Sequence, residues 1–149
     1  MTGSPFDVAR PTRRPRPRWD VLAAIFAGGC CGGAARYGLS AAWPSAGGDF
    51  PWTIFAINTS GAFVLAAVLV IAADVVPSRY LRPLVGTGFC GAFTTFSSIV
   101  VTVDELAAHG HAGMAAGYLI ASIAAGLAAA WLGLVLGRGI GRATRGETS

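Results

Sequence analysis

The chain has 149 residues, of which 54% are hydrophobic and only 12% charged, a balance typical of a membrane protein rather than a soluble domain. The formal net charge is +4, but the arginines follow the pattern of membrane topology, so we predict no nucleic-acid partner. Apolar segments leave no room for a large soluble active site. We therefore expect function to reside between helices, at the few polar residues at bilayer depth.

Four apolar runs dominate the chain, and each is long enough to cross the ~30 Å hydrocarbon core as a helix. The runs cover 21–42, 52–76, 81–107 and 113–137. We predict a four-helix membrane domain over 20–138, preceded by a disordered Arg/Pro-rich tail over 1–19 and followed by a second tail over 139–149. The predicted fold class is an all-α integral membrane protein with four transmembrane helices.

The arginines collect on one side of the predicted bundle. Five lie in the first tail, Arg79 and Arg82 lie in the loop after the second run, and three follow or end the fourth run. The loops on the other side contain no arginine and carry Asp49, Asp104 and Glu105. The positive-inside rule predicts that both termini are cytoplasmic.

The first two runs each contain one notable polar residue. Arg36 either snorkels to the outer interface or provides a fixed positive potential for an anion, and no carboxylate occurs inside its run. Asn58 either links helices through its amide or donates hydrogen bonds into a wet pore. An anion pathway fits these residues better than a cation or proton pathway.

The third run combines glycines with clustered hydroxyls over 86–98, a composition that disfavours an uninterrupted lipid-facing helix. We predict a break near 91–95, close to the middle of this helix. Broken helices at membrane depth free backbone carbonyls, which are tolerated only where they line a cavity or bind something. Because carbonyl oxygens suit a small hard cation, a structural sodium ion is predicted at this break.

Two hydroxyls lie one turn apart on one face of the fourth run. Tyr118, Ser122 and Gly126 follow the spacing i, i+4 and i+8. The alternatives are a polar track along the helix and two hydroxyls that are satisfied separately.

Three motifs together resemble the Fluc, or CrcB, family of fluoride channels. They are Gly-Gly-Cys-Cys-Gly-Gly-Ala-Ala-Arg-Tyr over 28–37, Asn-Thr-Ser-Gly over 58–61 and Gly-Phe-Cys-Gly-Ala-Phe-Thr-Thr-Phe-Ser over 88–97. The third motif is the specific one, and the resemblance covers all four runs.

The resemblance implies a passive fluoride channel that protects the cell from fluoride, built as an antiparallel dimer with two pores. It also implies a sodium ion, not transported, that is held by backbone oxygens of Gly91 and Thr94. The residues expected along the fluoride pathway are Asn58, Thr95, Phe96, Ser97, Tyr118, Ser122 and Arg36. Amide and hydroxyl donors and the positive edges of aromatic rings suit a small, strongly hydrated anion.

The chain departs from the family pattern at two positions. Ile99 stands where the family has a second phenylalanine, and Ile54 stands where it has a threonine. The arginine bias also disfavours insertion of one chain in both orientations, which an antiparallel homodimer requires. We therefore hypothesise a heterodimer with an oppositely oriented homologue.

Two alternatives remain open, and an enzyme is not expected. A non-conducting or half-pore subunit is compatible with Ile99 and Ile54. Small four-helix multidrug transporters share the size, but they need a membrane-embedded carboxylate, and Asp74 lies at the cytoplasmic end. No catalytic grouping or metal-ligand spacing is present, and His109 and His111 lie in a short outer loop.

Overall fold

The computed structural model describes residues 18–44, 49–75 and 78–146. All of its regular elements are helical. They are α1 (Trp19–Ala42), α2 (Trp52–Asp74), α3, which is π-helical over Arg82–Cys90 and continues as one α-helical turn over Gly91–Phe93, α4 (Phe96–Ala108) and α5 (Ala112–Gly146). The predicted tail over 1–19 lies outside the described residues except for Arg18 and Trp19, which opens α1.

Within the described residues, three helical segments are long and apolar enough to cross a membrane. They are 52–73, 82–108, which joins α3 and α4, and 112–144. These confirm the second, third and fourth predicted spans. α1 has the necessary length at 24 residues, but it is less apolar, because it contains Asp20, Arg36 and several glycines. Length and composition therefore confirm three of the four predicted spans. The first predicted span is helical over its predicted range but less apolar than the others.

Two pairs of helices run side by side in parallel, and glycines set their separation. A Cβ atom at Gly28 or Gly32 of α1 would collide with backbone of α3, and a Cβ at Gly88 would lie 2.5 Å from Ile25 O. On the other side of the bundle, a Cβ at Gly133 or Gly137 of α5 would collide with α2. Backbones can approach this closely only where small residues occupy the contact, as in membrane helix packing.

The π-helical turns of α3 were not predicted. They contain Pro83 near their start, and they include Gly86 and Gly88, which are both buried. Wide turns of this kind are rare and occur mostly at functional sites. Here they precede the point where the third span loses its helical geometry.

α5, the helix of the fourth predicted span, is longer than predicted. It continues to Gly146, whereas the apolar run ends near 137. Arginine is a good helix former and suits the negative end of the helix dipole, so Arg138 and Arg142 extend the helix past the apolar run. The predicted C-terminal tail is thus helical over 139–146.

A polar cluster joins the start of α1 to the loop before α3. Arg79 Nη2 lies 2.7 Å from Asp20 Oδ2, and the Tyr80 hydroxyl donates to the same oxygen at 3.0 Å. Desolvation acts to raise the pKa of Asp20, but the Tyr80 and Val21 hydrogen bonds and the charges of Arg79 and Arg18 lower it overall. The cluster places 18–20 and 79–80 at the same end of the bundle.

Candidate functional site

The third span changes direction at two threonines. Thr94 has φ −81° and ψ 151°, and Thr95 has φ −153° and ψ 120°, both extended. The helix before them ends at Phe93 and the next begins at Phe96. Thr95 caps α4, because its hydroxyl accepts from the backbone N–H of Ser98 at 3.3 Å.

Asn58 of α2 holds the extended segment in place. Its Oδ1 accepts from the Thr95 backbone N–H at 2.7 Å, and its Nδ2 donates to Ile54 O at 3.0 Å. One turn away, Gly61 leaves room for the Thr94 methyl group, which a Cβ would strike. The amide orientation is thus fixed, and the second N–H of Nδ2 is the donor that remains for other use.

Because of these contacts, two carbonyl groups lose the N–H donors that they would have in a continuous α-helix. In a continuous α-helix, the Thr95 N–H would donate to Gly91 O and the Ser98 N–H to Thr94 O. Here the two N–H groups go to Asn58 Oδ1 and Thr95 Oγ1 instead. The side chain of Thr94 does not compete for them, because its hydroxyl donates to Cys90 O at 2.8 Å. The break therefore supplies carbonyl oxygens with unused acceptor capacity.

The outer side of the break is open. Gly91 is exposed, with nothing within 4 Å of a Cβ at that position, and Phe96 is 68% exposed. Ser97 is exposed as well, and its hydroxyl lies 2.9 Å from Thr95 Oγ1. Phe96 and Ser97 thus face away from the core of the chain.

A second polar group lies on α5. Tyr118 is 0% exposed and Ser122 is 8% exposed. The hydroxyls of Ser122 and Thr102 are polar neighbours of Tyr118 Oη. Even so, within the described part of the chain, Tyr118 Oη and Ser122 Oγ have no partner at hydrogen-bonding geometry. Two buried hydroxyls without partners are costly and call for a ligand or water.

Aliphatic and aromatic side chains surround Tyr118. Ile99, Leu106 and Ala115 form one buried cluster with it, and Ile54 is among the side chains packed on that cluster. The Phe50 ring meets Tyr118 edge-on, with centroids 5.4 Å apart. Ile54 and Ile99, the two positions noted in the sequence as departures from the family pattern, thus both belong to the packing around Tyr118.

Arg36 lies apart from both polar groups. The register of α1 on α3 sets Gly28 against Leu84 and Gly32 against Phe89, which puts the next turn, with Arg36, at the level of the break. Its side chain is half-buried, and it forms no ion pair in the parts of the chain described here. The structure therefore brings together Asn58 with Thr95 and Tyr118 with Ser122, but not Arg36 with either pair.

Sequence reasoning missed Thr102 and Phe50. Thr102 follows Ile99 by three residues and precedes Leu106 by four, so helical spacing alone puts it on the face that meets Tyr118. Phe50 precedes α2, in a connection that carries no periodic signal.

Comparison of the sequence with known proteins identifies a family. A sequence model of the family described as CrcB-like protein, Camphor Resistance (CrcB), matches residues 23–134. The chain is similar to the fluoride-specific ion channel FluC 3 of Streptomyces avermitilis, with 50% identity over 126 residues that cover 84% of this chain and 62% of that protein. It thus spans less than two thirds of that relative's length.

Other relatives are matched over most of their length. The fluoride-specific ion channel FluC 1 of Mycolicibacterium paratuberculosis is 46% identical over 118 residues, which cover 78% of this chain and 89% of that protein. FluC 1 of Streptomyces coelicolor is 41% identical over 135 residues, 88% of each chain. On the strength of the family match and these relatives, the chain belongs to the CrcB family.

Proposed function

We propose that this protein is a fluoride-specific ion channel that lets fluoride leave the cytoplasm passively and so protects the cell. The observation that carries the proposal is the buried hydroxyl pair of Tyr118 and Ser122, which has spare donors on a membrane helix. The relatives named fluoride-specific ion channels supply the identity of the anion.

The residues along the proposed pathway are donors rather than charges. The free N–H of Asn58 and the hydroxyls of Tyr118 and Ser122 can replace part of the water around a small anion. Phe96 contributes the positive edge of its ring. Arg36, at the level of the break, raises the positive potential there without binding the ion tightly.

We place a structural sodium ion at the break. The donor set fits, because the carbonyls of Gly91 and Thr94 have lost their helical partners to Asn58 and Thr95, and hard cations prefer such oxygens. Gly91 is open to the outside of the protomer, so further oxygens have access from a second chain. When bound, the ion would face the negative C-terminal end of the α3 dipole.

The exposed polar break supports a dimer. The freed carbonyls lie at membrane depth, where irregular backbone is tolerated only when protein buries it or a water-filled cavity reaches it. A second chain would provide this cover. The partner in this proposal is antiparallel, and the arginine bias favours an oppositely oriented homologue over a second copy. Both termini of this chain would then lie in the cytoplasm, with the channel in the inner membrane.

A non-conducting or half-pore subunit is the second candidate, and Ile54 and Ile99 favour it. Both pack on the cluster around Tyr118 and make that wall aliphatic. Ile99→Phe tests this candidate, with Val103→Phe, on the same helix and also packed on the cluster, as the control for added bulk. Recovered fluoride flux in Ile99→Phe alone would show that the missing ring limits conduction.

The decisive experiment is fluoride efflux from liposomes, followed with a fluoride electrode. The chain is reconstituted alone and together with an oppositely oriented CrcB homologue. Flux from the chain alone supports the channel and rules out an obligate heterodimer. Flux from the mixture only supports pairing, provided that the homologue alone is silent. Silence in both preparations would overturn the channel proposal and favour a structural subunit.

A further inference from the structure

The C-terminal end of α5 is longer than a membrane crossing needs. The helix has 35 residues, which at ~1.5 Å per residue is about 52 Å, whereas the hydrocarbon core measures about 30 Å. From Ala112, Arg138 lies about 39 Å along the helix and Arg142 about 45 Å. A bilayer with its headgroups is about 40–45 Å thick. When the helix starts at one surface, both arginines therefore reach the headgroup layer of the other.

Three different faces are present on this last part of α5. Gly133, Gly137 and Gly141 are buried, and the first two face α2. Leu136 and Ile140 are each 48% exposed and form an apolar row. Arg138 and Arg142 are one turn apart and exposed, about a third of a turn from the glycine row by helical spacing. The segment is thus an amphipathic helix end with one face packed on the bundle and the other two exposed.

The two arginines have no protein counter-charge in the described structure. The ion pairs present at this end of the bundle join Arg18 and Arg79 to Asp20, on the α1 side. α5 packs on α2 and α4, not on α1. The dipole of α5 is negative at this end and attracts cations rather than anions. The arginine row itself is therefore the source of any attraction for anions here.

We propose that Arg138 and Arg142 bind the headgroups of anionic phospholipids. The charge is complementary, the depth matches the phosphate layer, and Leu136 and Ile140 provide apolar contact for acyl chains from the same helix end. Residues at i and i+4 of a helix have Cβ atoms about 5–6 Å apart. The two guanidinium groups are therefore close enough to share one phosphate. The site would anchor the end of α5 at the interface and hold the register of α5 against α2.

The test uses the full chain purified in neutral detergent and titrated with dioleoyl phosphatidylglycerol, with lipid binding followed by native mass spectrometry. Phosphatidylglycerol should bind with clear preference over phosphatidylcholine. Arg138→Gln with Arg142→Gln should weaken binding about 30-fold, since each basic residue near an anionic surface contributes about 1 kcal/mol, or about 5-fold. Arg138→Lys with Arg142→Lys should retain most of the affinity.

A matched control is Arg79→Gln, which removes the same charge from the same end of the molecule, where Asp20 already pairs with it. It should change the affinity by less than the about 5-fold expected for the loss of one of the two α5 arginines. Equal binding of both lipids, or an unchanged affinity in the double glutamine variant, would overturn the proposal. Displacement of the lipid by an equal concentration of inorganic phosphate would show a free-anion site instead. None of these results depends on fluoride flux, so a failed channel proposal leaves the test intact.

Discussion

The two polar regions of the bundle differ in which hydrogen-bonding groups, acceptors or donors, they leave unused. At the break, Asn58 and the Thr95 hydroxyl take backbone N–H groups and so leave carbonyl oxygens free. On α5, Tyr118 and Ser122 are buried and keep hydroxyl donors free. Spare acceptors suit a cation and spare donors suit an anion. In this proposal, one chain therefore has two sites of opposite preference at membrane depth, and neither contains a carboxylate within the described residues.

The largest expected effect comes from Asn58→Asp. The variant keeps an oxygen for the Thr95 N–H but loses the donor to Ile54 O and adds a negative charge beside the anion pathway. Like charges about 4 Å apart cost on the order of 4 kcal/mol at an effective dielectric of 20, so we expect fluoride efflux to fall at least 100-fold.

The matched control for Asn58→Asp is Ser60→Ala on the same helix. Ser60 is exposed and its hydroxyl donates only to carbonyls of its own helix, Ala56 and Ile57. Its efflux should equal that of the unaltered protein. Unchanged efflux in Asn58→Asp would show that Asn58 does not contribute to the pathway. Its role would then be limited to holding the extended segment at the break.

Sodium should stabilise the folded protein through the spare acceptors. A ligand present at 100 times its dissociation constant adds about 2.7 kcal/mol to the free energy of unfolding. We expect a higher thermal midpoint in sodium chloride than in potassium chloride at equal ionic strength, measured with purified protein. Identical midpoints in the two salts would argue against a selective cation site at the break.

The spare donors predict opposite changes in flux and stability. Tyr118→Phe with Ser122→Ala should reduce efflux about 10-fold, an effect worth about 1.4 kcal/mol. The free energy of unfolding should stay constant or rise, because each unpartnered buried hydroxyl costs about 1–3 kcal/mol. A fall in stability with unchanged efflux would mean that the two hydroxyls are satisfied in the folded protein and serve only packing.

Phe96→Ile tests the exposed ring at the break. Aromatic edge contacts contribute about 0.5–1.5 kcal/mol, so efflux should drop about 2-fold to 10-fold. Phe89→Ile is the control, because Phe89 stacks on Phe93 inside α3, with ring centroids 5.3 Å apart. The control should affect the thermal midpoint more than the selectivity for fluoride. Equal losses of efflux in both variants would assign Phe96 to packing.

Composition and periodicity predicted the helical membrane fold well, because apolar runs of this length have few other solutions in lipid. The bounds of α2, and the outer bounds of α3 and α4 taken together, agree within two residues with the predicted runs. The π-helical start of α3 was missed, since its turns depend on close contact with α1 through Gly28 and Gly32. The extension of α5 was missed because arginines ended the apolar run but not the helix.

The sequence predicted which residues belong to the candidate site but not which contacts each of them makes. Motif residues such as Asn58 and Thr95 were named from sequence, but only the fold shows that the amide of one accepts from the backbone of the other. Ile99 stood out as a departure from the family, and its burial with Ile54 beside Tyr118 follows from packing between distant segments. Thr102 carried no signal except its spacing.

The smallest expected effect lies outside both polar regions, at Asp20. Because hydrogen bonds and arginine charges lower its pKa, its contribution to stability is present above the unfolded value of about 3.9 and is lost as pH falls through the folded pKa. Asp20→Asn should lower the thermal midpoint slightly at pH 7, and the difference from the unaltered protein should shrink below the unfolded pKa and disappear below the folded pKa. Glu105→Gln, at the opposite end of the bundle, provides the control for lost charge. A difference that persists unchanged at low pH would mean that Asp20 acts through packing, so that the link between α1 and the loop before α3 does not depend on its charge.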